Sequence, residues 1–81
     1  MKAIVTVMLR KSVLDPQGKA IGQALHGMGF SEVGDVRQGK RIEIALPDGS
    51  DPEAARKRLA EMAEKLLVNP VMEDYTVDIA A

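Results

Sequence analysis

Glu32-Val33-Gly34-Asp35-Val36-Arg37-Gln38-Gly39-Lys40-Arg41-Ile42-Glu43-Ile44-Ala45-Leu46 is the stretch on which the fold turns. Read as two strands, Glu32 to Gln38 and Lys40 to Leu46, it forms a hairpin joined tightly near Gln38-Gly39, where glycine takes positive φ. In the second strand Ile42, Ile44 and Leu46 share one face, and Arg41, Glu43 and Ala45 the other. Pro47-Asp48-Gly49 is a turn cluster that ends it.

Upstream, Ala3 to Leu9 is β-rich, with Ala3, Val5, Val7 and Leu9 on one face. The opposite face carries Ile4, Thr6 and Met8, more apolar than a water-facing strand needs, which points to a covering surface such as a second subunit. Asp15-Pro16 reads as a helix start, with aspartate as N-cap and proline at the first helical position. Ala20, Ile21, Ala24, Leu25 and Met28 follow at helical spacing, and Gly29 suits a left-handed C-cap. Gly18, Gly22 and Gly27 weaken this helix by about 1 kcal/mol each, so either a backbone approaches closely there or the cost is tolerated.

Downstream, Asp51-Pro52 repeats the start signal. Ala55, Leu59, Met62, Ala63 and Leu66 line one face of a helix reaching to about Val68, and Asn69-Pro70 stops it. Tyr75, Val77 and Ile79 alternate with polar residues as a last strand. The order β-α-β-β-α-β defines an α+β chain with the ferredoxin-like split βαβ arrangement, a four-stranded antiparallel sheet with two helices on one face. The other face is left bare, and Ile4, Thr6 and Met8 on it are the candidates for self-association.

Eighty-one residues allow one domain, spanning residues 1–81, with a small core. Eleven basic against twelve acidic residues argue against a nucleic-acid partner, and Phe30 and Tyr75 alone make no stacking platform. No cysteine is present, which removes disulfides, thiolate metal sites and thiol catalysis together. The amino-terminal apolar run of seven residues is too short for a membrane span and carries no cleavage pattern, so a cytoplasmic location is expected.

His26 is the only histidine and has no orienting carboxylate at helical spacing, so a structural role is favoured over a general base. Gly27-Met28-Gly29 follows a helix, the reverse of the context a dinucleotide loop requires. The carboxylates lack metal-ligand spacing. Arg37, Lys40 and Arg41 would cluster at one end of the hairpin beside Gly39, where they could meet phosphate or an acidic partner, or guard a sheet edge. No catalytic residue, metal ligand or cofactor-binding residue is assigned to this chain.

Three segments are not explained by core packing alone: Val13-Leu14-Asp15-Pro16-Gln17-Gly18, Arg37-Gln38-Gly39-Lys40, and Leu66 to Tyr75. In order and spacing they resemble the PurS family, the small subunits of phosphoribosylformylglycinamidine synthase. The resemblance covers the whole chain, with mild departures at Ala63, Val68 and Met72, where that family more often has cysteine, alanine and isoleucine. It implies a non-catalytic part in de novo purine synthesis, between a PurL synthetase that holds ATP and magnesium and a PurQ glutaminase that releases ammonia. It implies a homodimer or dimer of dimers. The polar ends of the three segments, Asp15, Gln17, Gly18, Arg37, Gly39, Lys40, Arg41, Asn69, Pro70 and Glu73, become the candidate partner interface. Two other classes share the topology: an ACT-like amino-acid-binding module, and an acylphosphatase-like enzyme. For the latter Arg10 and Asn69 are present but the glycine-rich cradle is not.

Overall fold

The computed structural model describes residues 1–80. Its elements are β1 (Lys2–Leu9), α1 (Pro16–Gly27), β2 (Gly39–Ala45), α2 (Pro52–Met62), a π-helical turn (Ala63–Leu67) and β3 (Glu73–Ala80). The sheet has three antiparallel strands in the order β2-β1-β3. Lys2 to Met8 pair with Ala45 to Gly39 on one side, and Lys2 to Leu9 with Ala80 to Glu73 on the other.

The expected hairpin is absent. Residues 33–38 form no strand, and Gly39 does not take positive φ. The physical reason lies at Asp15, whose carboxylate accepts the Gln38 N–H at 2.8 Å and so steers the chain along α1. Glycine is needed at 39 for another reason. A Cβ there would overlap the Met8 sulfur and the Val7 carbonyl oxygen, so β2 begins by pressing its backbone against β1.

Both helix starts form as the sequence predicts. Asp15 Oδ1 accepts from Gly18 N at 2.9 Å, and Asp51 Oδ1 from Glu53 N at 3.3 Å. At the end of α1, Gly29 has φ of +96°, Gly29 N donates to His26 O and Phe30 N to Leu25 O. This is a Schellman close, which satisfies carbonyls the helix would leave open.

The core lies on one side of the sheet. Ala3, Val5 and Val7 of β1 are buried beneath Leu59, Ala63 and Val68, with Ile42, Ile44, Tyr75 and Val77 half-buried around them. Only α2 and its π turn cover this face. The expectation of two helices there fails, because the chain runs from α1 through 34–38 straight into β2 without a turn that would fold α1 back. Ala20, Ile21, Ala24 and Met28 are therefore exposed, and α1 is buried only at Gly18 and Gly22, against Val36. The outline follows: extents of 49 × 26 × 14 Å and a radius of gyration of 16.1 Å. A compact chain of this length would have a radius of about 12 Å.

The second helix also departs from its expected face. Val68 N donates to Ala63 O at 2.9 Å, a span of five residues in place of four. The widened turn brings Val68 into the core below Ala63 and turns Leu66 outward, to 84% exposure.

Candidate functional site

The three unexplained segments meet at the exit of β1. Leu9 O accepts a hydrogen bond from Arg37 Nη2. The next residue, Arg10, donates its backbone N–H to Met72 O at 2.9 Å and its Nη2 to Pro70 O at 2.6 Å, while Nε lies 3.4 Å from Asp74 Oδ1. Asp15 then ties the start of α1 to Gln38. The last residue of β1 and the one after it thus anchor the 37–38 segment and the 69–74 loop, and Asp15 fastens α1 to the former.

Each anchor has a local cause. Gly18 is buried because a Cβ there would overlap Val36 O and come within 2.7 Å of Asp15 Oδ2. Glycine is the residue that lets the 36–38 backbone lie against the first turn of α1. The Asp15 carboxyl is held below its ordinary value by the hydrogen bonds from Gln38 and Gly18, with Arg37 adding attraction. The 69–73 loop is closed on itself. Asn69 Oδ1 accepts from Val71 N at 3.0 Å, Asn69 N donates to Glu73 Oε1 at 2.8 Å, and Glu73 N donates to Asn69 O at 2.8 Å.

Because the folded-state pKa of Asp15 is depressed, its contribution to stability is fully present above the ordinary value of 3.8 and is lost as pH falls through the lower folded value. An Asp15→Asn chain keeps an acceptor for Gly18 but loses the charge. Its urea midpoint should fall less than that of the unsubstituted chain as pH is lowered from neutrality through this window. Parallel curves for the two chains would remove the charge from the account.

The candidate interface residues do not all fall together. Asp15, Gly18 and Arg37 are joined by the contacts above, and Gln17 is exposed on the same helical turn. Asn69, Pro70 and Glu73 form the neighbouring loop. The basic cluster of Arg37, Lys40 and Arg41 breaks up. Arg37 is turned in on Leu9, and adjacent Lys40 and Arg41 point to opposite faces of β2, as period two requires. Arg41 pairs with Glu43 on the open face, where Lys2 Nζ also reaches Glu43 at 3.3 Å. These two cations hold the Glu43 carboxyl below its ordinary value.

Ile4, Thr6 and Met8 lie half-buried along the centre of that open face. Ile4 is flanked by Glu43 and Asp78, Thr6 by Arg41 and Thr76, and Met8 by Gly39 and Asp74. His26 Nε2 stands 2.7 Å from Val33 O, a contact that ties the end of α1 to the segment that follows. Arg10, which the sequence does not mark as part of the candidate interface, proves to be the organising residue. Its signal was its position at a strand end, which alone names no partner.

Among the described residues no cluster of three or more His, Asp or Glu could hold a metal ion, and no helix is long and apolar enough to cross a membrane. The chain is thus a three-stranded α+β unit whose three unexplained segments are tied together at the exit of β1. The comparisons give the family. Residues 2–81 match the family model described as PurS, phosphoribosylformylglycinamidine (FGAM) synthase. The PurS subunit of Mycobacterium leprae is 49% identical over 76 residues, covering 94% of this chain and 91% of the relative. The crystal structure of Methanocaldococcus jannaschii PurS superposes with a TM-score of 0.86 at 39% identity, covering 95% of this chain and 92% of that one. A chain of the PurLQS structure from Thermotoga maritima gives 0.85 at 34% identity, covering 95% and 93%. The chain belongs to the PurS family.

Proposed function

We propose that this chain, as a single domain over residues 1–81, is a non-catalytic cytoplasmic subunit of phosphoribosylformylglycinamidine synthase. It bridges a PurL-type synthetase, which holds ATP and magnesium, and a PurQ-type glutaminase, and it helps ammonia pass between them. The observation that carries this reading is the convergence of Asp15–Gly18, Arg37–Gly39 and Asn69–Glu73, at the starts of α1, β2 and β3, on the exit of β1. A rigid end of this kind completes an interface without making or breaking a bond. Ammonia in water at neutral pH is mostly protonated and not nucleophilic, so its transfer is served by a junction that excludes solvent. Mixed with PurL and PurQ, the chain should restore glutamine-dependent, ATP-consuming amidine formation that the pair lacks without it. Failure to restore synthesis, with no co-elution with either partner, would sink the reading.

Self-association completes the fold. α1 leaves bare Ile21 and Met28, exposed by 42% and 71%, and the β2 half of the core face, with Ile42, Ile44 and Leu46, has no helix above it. These surfaces are complementary but cannot meet within one chain. In a two-fold dimer, α1 of each protomer lies over the other's β2, and residues 32–38 run beside that strand's free edge as its fourth strand. The four-stranded sheet with two helices on one face is then a property of the dimer. Ile4, Thr6 and Met8 remain for a dimer of dimers.

A further inference from the structure

A recess of about 580 Å³ opens between the 11–14 loop, α1 and residues 34–37. Its volume lies within the range of small-molecule sites. Lys19, Gln23 and His26 line it from α1 and share one helix face, since successive residues turn by about 100°. By the same spacing Ile21 and Met28 fall on the opposite face, so the recess is separate from the surface that suits a second copy.

Besides the histidine, the charged groups on its walls are Lys11, Lys19 and Arg37 against Asp15 and Asp35. Arg37 and Asp15 are already engaged. Arg37 Nη2 donates to Leu9 O, Asp15 accepts from Gly18 N and Gln38 N, and the two charges attract each other. Lys11, Lys19 and Asp35 are left. Among the described residues none of these three forms an ion pair or a side-chain hydrogen bond, either with one another or with a neighbour. The Ser12 hydroxyl on the same wall is equally free. Two ammonium charges and a hydroxyl donor suit a phosphate dianion. The free carboxylate suits hydroxyl donors on the body that carries the phosphate, and it would repel a bare anion. We propose that this recess binds a sugar phosphate. Lys11 and Lys19 hold the phosphate oxygens, Ser12 Oγ donates to them, and Asp35 accepts from a sugar hydroxyl. The site goes beyond the subunit reading and does not rest on it.

The test is calorimetric titration of the full chain with ribose 5-phosphate and with glucose 6-phosphate in about 0.15 M salt, which screens charges more than about 8 Å apart. A dissociation constant at or below about 1 mM is expected for at least one of them, within the range in which enzymes hold metabolites. Lys11→Gln/Lys19→Gln should weaken that binding at least tenfold. Lys57→Gln/Lys65→Gln removes the same charge from exposed positions on α2 and its π turn and should leave it unchanged. Asp35→Asn should weaken the sugar phosphate at least threefold, while inorganic phosphate binds no worse. All these side chains are exposed, so thermal midpoints should hold. No saturable binding of either sugar phosphate overturns the proposal, as does an equal loss in the two lysine pairs. Inorganic phosphate held as tightly as the sugar phosphate overturns it too, since the recess would then be a bare anion site.

Discussion

A Gly39→Ala chain is expected to lose about 2–3 kcal/mol of stability, although it adds one methyl group on the surface. The added carbon would sit against the Met8 sulfur, which can swing aside, and against the Val7 carbonyl oxygen, which cannot. Relief requires β2 to move away from β1 at the first pairs of their ladder, Met8 with Gly39 and Val7 with Lys40. The matched control is Gly27→Ala. Nothing lies within 4 Å of a Cβ there, so helix propensity alone acts and the chain should gain about 0.5–1 kcal/mol. Urea midpoints at one fixed protein concentration test both, since stability of an associating chain depends on concentration. Shifts of the same sign in the two variants would show that the contact at Val7 does not govern position 39.

On the dimer proposed above, an Ile21→Asp chain is expected to stay monomeric at concentrations where the unsubstituted protein self-associates. Ile21 is 42% exposed in the isolated chain, so an aspartate there can keep its carboxylate in water within the protomer. In the proposed two-fold dimer it would lie over Ile42 and Ile44 of the other protomer. The loss of an aliphatic contact is about 2–3 kcal/mol, and desolvating an unpaired carboxylate adds to it. A dissociation constant weakened at least a hundredfold, about 2.8 kcal/mol, follows. Light scattering over a dilution series reads this directly. A variant that keeps the parent mass and midpoint would exclude α1 from the dimer contact. Asp15→Asn adds an independent reading, because its loss of stability is present at neutral pH and fades as pH falls through the acid limb, while the mass stays unchanged.

Much of the local structure is legible from side-chain chemistry. Asp15-Pro16 and Asp51-Pro52 start helices because a carboxylate oxygen can take a free N–H one turn on, and proline has no N–H to leave unpaired. Gly29 closes α1 because the helix end needs positive φ. Alternation along Ala3 to Leu9 separates the buried Ala3, Val5 and Val7 from the half-exposed Ile4, Thr6 and Met8. Within the candidate site, the segments 15–18, 37–40 and 69–73 stand out in the sequence, but their meeting point does not. Leu9 and Arg10, which join them, lie at the end of an ordinary strand, and only the folded chain brings Arg37 and Pro70 to it.

The stretch from Glu32 to Leu46 marks the limit. By itself the sequence placed a strand over Lys40 to Leu46, found at Gly39–Ala45, with Ile42 and Ile44 on one face, since period-two alternation is a property of the residues alone. It could not decide whether Gly39 turns the chain or presses it against a neighbour, because glycine serves both ends. The Val7 carbonyl and the Asp15 carboxylate decide that, from 32 and 23 residues away, and they send 33–38 along α1. Leu66 is the parallel case. Helical spacing places it in the core, and the five-residue hydrogen bond from Val68 to Ala63 turns it out. At Gly39 the backbone of β1, and at Leu66 the packing of Val68 with Val5 and Val7, outweighs a local preference worth at most about 1 kcal/mol per residue, which is why only the tertiary structure settles them.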